Sequence, residues 1–323
     1  MTKHILVTGG AGYIGSHTAK RLHQSGFIPV VLDDLTLGHE WAAKFGPFVQ
    51  GSIADSALVK RTCETHNIES VIHFAASSSV GESVSNPRKY VHNNVFGTVS
   101  LLDAMLEAGV KRIVFSSTAA TYGNPAYSPL DEAHPTNPIN PYGESKLYLE
   151  RVMQSYSVYG LQWMALRYFN AAGADFDGEL GEVHTPESHL IPLCIEAALG
   201  KRRLQVFGTD YPTPDGTAIR DYIHVFDLAD AHIKALAHLK NGGASGACNL
   251  GMGKGFSVLE VIRAVERVTG LAVPFDEAPR RAGDPPKLVA NPTKAQATLE
   301  WHAQYTDLER IVETAWGFFK ARQ

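Results

Sequence analysis

Three side chains in this sequence have the types and spacing for proton chemistry. Tyr142 and Lys146 lie four residues apart in "NPYGESK" (140–146), and residues i and i+4 of a helix share a face, so both project into one space. Read alone, the pair also suits the polar first turn of a surface helix opened by Pro141. Thr118 closes the apolar run "RIVFSST" (112–118), which puts a hydroxyl at the carboxyl edge of a strand, where open α/β sheets bind ligands. Free tyrosine ionises near pH 10, so a phenolate base at neutral pH needs about 4 kcal/mol of preferential stabilisation of its charged form. A lysine ammonium one turn away and a positive nicotinamide ring could supply it.

A nicotinamide needs a dinucleotide site, and the N-terminal region has its pattern. "TGGAGYIG" carries Gly9, Gly12 and Gly15 between a predicted strand and a predicted helix. Glycines there permit a tight turn, close backbone approach to a pyrophosphate and packing of helix on strand. Asp33 follows 18 residues after Gly15, at the end of the second predicted strand, where a carboxylate accepts ribose hydroxyls and repels a 2′-phosphate. No Arg or Lys lies between Asp33 and Trp41, so NAD is favoured over NADP. Ser52, in "GSI" (51–53), stands at the end of a further predicted strand, where an acidic side chain could reach the adenine amine.

The elements that must position these groups follow from periodicity. Apolar runs at 4–9, 28–34, 48–53, 70–76, 112–118 and 163–169 read as strands, alternating with amphipathic helices, one from about Gly12 to Ser25 and one from Pro87 to about Ala108. Such alternation implies right-handed crossovers and a Rossmann-type, doubly wound parallel sheet. Residues 1–170 read as the NAD-binding domain. From 171 to 323 the loops become rich in Gly, Pro and Asp, as expected of a smaller α/β substrate domain with some segments packing back on the first. "SVLE" (257–260) reads as a capping box, and a last helix is predicted from about Asp307.

Bulk properties exclude several classes. The 323 residues carry a formal charge of −4 and are 44% hydrophobic, an ordinary globular balance without a basic patch for nucleic acid or anionic membrane. Cys63, Cys194 and Cys248 are far apart, so neither a disulfide framework nor a cysteine zinc site is expected. There is neither a charged leader with a long apolar run nor a stretch of about 20 apolar residues. A cytoplasmic protein with a small-molecule partner is expected. His184 and His189, with Glu182 and Glu187 nearby, have poor metal-ligand spacing for a loop, so no metal is expected.

Together, the glycine triplet, Thr118 and the Tyr-xxx-Lys pair resemble the extended short-chain dehydrogenase/reductase superfamily. More closely, "GGAGYIGSH", "VIHFAA", "VGESV", "NNVFGT", "PYGESK", "RYFNAAGA", "DYPTPDGTAIRDYIHV" and "PRRAGDPP" resemble the UDP-glucose 4-epimerases over nearly the whole chain. The resemblance implies an isomerase in which Tyr142 takes the proton from the sugar 4-hydroxyl while hydride passes from C4 to a tightly held NAD, with Thr118 on the 4-oxygen. It implies cofactor contacts from Tyr13, Ile14, Ser52, Ile53, Phe74, Ala75, Asn93 and Tyr168 besides the residues already named. For a UDP-sugar it implies Arg220 and Arg281 at the diphosphate, Asn170, His189 and Leu190 nearby, Phe207 at the uracil, Asp284 at a ribose hydroxyl and Leu288 near the sugar 2-substituent. Ser78 stands where some epimerases have a lysine.

The resemblance leaves UDP-hexose, 2-acetamido hexose and pentose open. It also implies a homodimer, paired through the helix at 87–108 and through Leu149, Val152 and Tyr156, although core packing within one chain would explain both apolar stripes as well. A sugar-nucleotide 4,6-dehydratase would place acids after its Thr, where this chain has Ala119 and Ala120. A catalytically silent NAD-binding regulator remains a reading of a different class.

Overall fold

In the computed structural model, which describes residues 3–281 and 283–322, the apolar runs pair into a parallel sheet. Its first strands are β1 (His4–Thr8), β2 (Ile28–Asp33), β3 (Phe48–Gln50), β4 (Ile68–His73), β5 (Arg112–Thr118) and β6 (Gln162–Tyr168). Four short strands follow, β7 (Asn170–Ala172), β8 (Leu204–Phe207), β9 (Ile219–Arg220) and β10 (Tyr222–His224). The chain then returns to the large sheet with β11 (Gly246–Leu250), giving the order β11-β6-β5-β4-β1-β2-β3. The remaining strands are β12 (Phe256–Ser257), β13 (Phe275–Ala278) and β14 (Lys287–Leu288).

Strand order reverses between β1 and β4, so the loops leaving their carboxyl ends diverge and open a crevice there. Central strand residues such as Leu6, Val7, Val71, Ile72, Ile113 and Val114 are buried because helices cover both faces of the sheet. One face holds α2 (Ser56–Thr65), α5 (Gly97–Glu107) and α6 (Pro141–Tyr156); the other holds α1 (Tyr13–Gln24), α8 (Val225–Lys240) and α10 (Thr293–Leu299). A separate core joins α7 (Leu190–Ala198), α9 (Val258–Thr269) and α11 (Leu308–Ala321). The Ser257–Glu260 capping box opens α9, and Asp307 caps α11. All three cysteines are buried and free. No helix among the described residues is long and apolar enough to cross a membrane.

Two sequence expectations need correction. The strand predicted from 48 ends at Gln50, because residues 51–55 turn into α2: the Ser52 carbonyl and hydroxyl accept the N–H groups of Asp55 and Ala54, at 3.1 and 3.2 Å. The helix predicted over 87–108 is divided. After α3 (Val80–Ser85) come α4 (Pro87–Tyr90), a widened π-type turn over Val91–Phe96, and then α5. Asn94 is fully buried in that turn, where it accepts the Ser77 N–H at 2.8 Å and donates to the Ser77 carbonyl at 3.0 Å and to Ser145 Oγ at 3.2 Å. Of the two uses open to the apolar stripes on α5 and α6, packing in this chain's own core is the one seen. Leu102 and Leu149 lie within it, and Leu106, Val152 and Tyr156 pack against it. On these helices and just beyond, the exposed apolar side chains are instead Val91, Phe96, Tyr148, Val158 and Tyr159.

Candidate active site

The crevice at the sheet's carboxyl edge is a cavity of about 540 Å³. Gly9, Gly12, Tyr13, Ile14, Gly15, Asp33, Ile53, Phe74, Ala75, Asn93 and Tyr168 line it, as do Thr118, Tyr142, Lys146, Asn170, His189 and Leu288. Residues from both halves of the sequence are thus brought together. Ser52 does not line it, since its hydroxyl is used in the turn before α2, and Leu190 packs instead against the core of α7, α9 and α11.

The glycine loop fits a dinucleotide by its close backbone packing. Gly9 has φ +69°, and a Cβ there would lie 2.5 Å from the Ala75 backbone nitrogen. A Cβ on Gly15 would lie 2.2 Å from the Gly9 carbonyl oxygen, so neither position accepts a side chain. Gly12 caps α1 without a side chain, which leaves the first-turn N–H groups and the positive helix end for phosphate. Asp33 Oδ2 accepts the Ala11 N–H at 3.0 Å and Oδ1 the Leu35 N–H at 2.9 Å. These bonds orient the carboxylate and leave further lone pairs for ribose hydroxyls. Burial raises the Asp33 pKa, and the same two N–H groups oppose the rise. Ser77 and Ser78 also line the cavity, and Lys89 from α4 brings an ammonium to its wall, paired with Glu82 at 2.7 Å. Sequence reading missed Lys89, whose place depends on where α4 packs.

The reactive group is built on β5 and α6. Asn140 Oδ1 accepts the Gly143 N–H at 2.8 Å, and Pro141 occupies the first turn of α6, so the helix starts with Tyr142 facing the crevice. Lys146 Nζ donates to the Ser116 carbonyl at 2.9 Å and lies 6.0 Å from the centre of the Tyr142 ring. Burial lowers the Lys146 pKa to about 7. Burial also raises the Tyr142 pKa to about 12, against a hydrogen bond from Thr118. Burial penalises both charges, so in this pocket a phenolate on Tyr142 calls for the positive nicotinamide ring as well as the lysine, as the sequence-based account has it.

Beneath this group lies a buried network that sequence reading also missed. Glu150, two turns after Tyr142, accepts Ser117 Oγ at 2.5 Å and Arg167 Nε and Nη2 at 2.9 and 2.5 Å. Arg167 donates to the Tyr122 hydroxyl at 3.0 Å, which donates to Asn249 Oδ1 at 2.7 Å. α6 is thereby tied to β5, β6 and β11.

The remaining expected substrate residues form a second group outside the cavity lining. The Arg281 guanidinium stacks 3.9 Å from the centre of the Phe207 ring. Arg220 pairs with Asp284 and donates to the Ile219 carbonyl at 2.7 Å. The neighbouring Asp221 does not pair with Arg220: it is fully buried and accepts the N–H groups of Met252, Gly253 and Ala290. Leu288 pairs in register with Arg220 between β14 and β9, so one side of this ribbon carries the arginine and its neighbour lines the cavity.

Residues 5–251 match the family described as "NAD dependent epimerase/dehydratase family". The chain is 55% identical over 318 residues to a UDP-glucose 4-epimerase of Halalkalibacterium halodurans, covering 98% of this chain and 95% of that one. It superposes with a TM-score of 0.96 on the crystal structure of UDP-glucose 4-epimerase from Brucella ovis in complex with NAD, at 52% identity and 98% coverage of both chains. It superposes with a TM-score of 0.95 on a Stenotrophomonas maltophila UDP-glucose 4-epimerase with bound NAD and formylated UDP-arabinopyranose, at 40% identity, covering 100% of this chain and 99% of that one. The glycine-cradled edge, the Tyr142–Lys146–Thr118 group and these full-length likenesses agree: the chain belongs to the NAD dependent epimerase/dehydratase family.

Proposed function

We propose that the chain catalyses NAD-dependent 4-epimerisation of a UDP-sugar, interconverting UDP-glucose and UDP-galactose. The observation that carries this reading is that Tyr142, Lys146 and Thr118 share one cavity with the glycine loop and Asp33. Bound NAD supplies a hydride acceptor that also gives hydride back, and it adds the positive charge that a buried phenolate needs. The residues do the rest. Tyr142 takes the 4-hydroxyl proton and returns it, while Thr118 holds the 4-oxygen. Lys146, anchored on the Ser116 carbonyl beside Tyr142, adds its charge in favour of the phenolate. Arg220 and Arg281 hold the diphosphate, so the 4-keto sugar can turn over without leaving.

We infer further that residues 1–170 chiefly hold NAD and residues 171–323 chiefly hold the UDP-sugar. Asn170 and His189 then face the sugar or its phosphates, Phe207 the uracil and Asp284 a ribose hydroxyl. The protein acts in the cytoplasm as a homodimer, and the exposed Val91, Phe96 and Tyr148 are the surface that supports the dimer. Ala119 and Ala120 both line the cavity, which leaves the turn after Thr118 without the acid that elimination of water requires. The decisive experiment is conversion of UDP-galactose to UDP-glucose by the purified protein without added NAD. Turnover is expected; cofactor bound with no turnover would favour a silent regulator. A parallel panel with UDP-N-acetylglucosamine and UDP-xylose tests what Leu288 admits.

A further inference from the structure

The loop between Gly181 and α7 brings together four side chains whose sequence spacing gave no reason to expect a metal. Glu182, His184, Glu187 and His189 each offer one ligand atom, and these atoms all lie within 4.8 Å of one another. His184 Nδ1 lies 3.3 Å from Glu182 Oε1 and 3.7 Å from Glu187 Oε2; His189 Nδ1 lies 2.7 Å from Glu182 Oε1 and 3.0 Å from Glu187 Oε1. Ligands about 2.0–2.2 Å from a tetrahedral zinc ion stand about 3.3–3.6 Å apart along each edge of the tetrahedron. The His184–Glu182 separation falls in that range and His184–Glu187 lies just beyond it, while the two His189 contacts are shorter, at hydrogen-bond length, and would open by a few tenths of an ångström around an ion.

A second observation separates this set from a pair of ordinary ion bridges. His184 Nδ1 is buried and makes no hydrogen bond, although both carboxylates are close. Its nitrogen has neighbours at ligand-to-ligand distances but not in hydrogen-bond geometry. Glu187 is also held in place: its Oε1 accepts the Ser188 and His189 N–H groups at 2.7 and 2.8 Å. Such backbone bonds orient a carboxylate for coordination through its other oxygen.

We propose that Glu182, His184, Glu187 and His189 bind one divalent transition-metal ion, zinc by the character of the donors, at the cavity wall. Two neutral imidazoles and two carboxylates balance its charge and match its preference for nitrogen and oxygen in a tetrahedron. The ion pins residues 182–189 in the shape that brings Glu182, His184 and His189 to the cavity. The ion takes no part in the proton and hydride transfers proposed above, although its ligand His189 is also among the residues proposed to face the sugar or its phosphates.

The test is metal binding by the full chain with its NAD retained. Chelator-treated protein is titrated with zinc and, separately, with cobalt(II), whose visible absorption reports a tetrahedral site. One equivalent per chain with tetrahedral cobalt bands is expected. His184→Gln and Glu187→Gln should each weaken binding by more than about 100-fold, beyond the loss from an outer-shell change, while NAD content and circular dichroism stay as in the parent chain. Absence of tetrahedral cobalt bands in the parent chain overturns the proposal and leaves imidazolium–carboxylate bridges. So does zinc binding undiminished in both folded variants. Should the variants fail to fold, the cobalt titration of the parent chain decides alone.

Discussion

The two ends of the proposed ligand site are built in opposite ways. At the dinucleotide edge the recognising groups are backbone atoms and small residues whose shape is set by packing: Gly9 against Ala75, Gly15 against Gly9, and Asp33 fixed by the N–H groups of Ala11 and Leu35. At the far end the groups are long side chains that occupy one another, Arg220 with Asp284 and Arg281 over Phe207. A preorganised edge suits a ligand that stays; self-paired side chains suit one that comes and goes, since they exchange partners instead of losing them. The proposed roles, a cofactor that stays and a substrate that exchanges, correspond to these two kinds of architecture.

The largest expected effect lies at the first end. Tyr142→Phe should lower kcat by about 10³-fold, within the range for loss of a positioned acid–base group, and leave NAD content unchanged. Near-normal turnover would remove Tyr142 as the base, and loss of NAD would make it part of the cradle. Next comes Arg220→Ala, which should raise KM about 30-fold, the scale of a lost charge-assisted contact, with NAD content intact. Steady-state kinetics and cofactor analysis of one preparation check both, and an Arg220 variant that lost NAD would break the division between the ends.

A smaller effect concerns pH. Lys146 has its pKa lowered by burial from 10.5 to about 7, so between those values the unfolded chain binds more protons than the folded one. Stability of the NAD-free protein therefore gains from this group as pH rises through that window, by up to about 1.4 kcal/mol per pH unit. Denaturant midpoints across pH should show the slope in the parent chain and a flatter one in Lys146→Met; equal slopes would mean that the lysine is solvated. The smallest effect is expected of Asp284→Asn. It frees Arg220 from a charged partner while keeping a group able to bond a ribose hydroxyl, so KM should change by less than about threefold.

What was legible in the sequence divides along similar lines. The parallel strands and the glycine loop could be read because their signals are local: a buried run of Val, Ile and Leu, or glycines at fixed offsets. Thr118, Tyr142 and Lys146 were legible because strand end and helix start each announce themselves. Lys89, Asn94, Glu150 and Arg167 were not, since their partners lie on other elements. Asn94 is satisfied by Ser77 and Ser145, and Glu150 by Ser117 and Arg167. The clearest misreading, an unbroken helix over 87–108, arose because an apolar stripe reports the buried face and not the number of residues in each turn. The convergence of the four side chains at 182–189 was not legible for a related reason, as spacing along a loop does not fix distance in space.

The wide turn at Val91–Phe96 carries a consequence for how such a chain can change. It amounts to one residue more than a regular helix would hold, and it leaves Asn93 at the cavity and Asn94 fully buried beside it. In a regular helix adjacent side chains diverge by about 100°. Removing a single residue here would therefore preserve every hydrophobic letter of α5 yet rotate them all relative to α4, whereas substituting any one of them would leave the phase intact. At this position the length of the chain is itself under constraint, and natural variation should spare the count of residues more strictly than their identities.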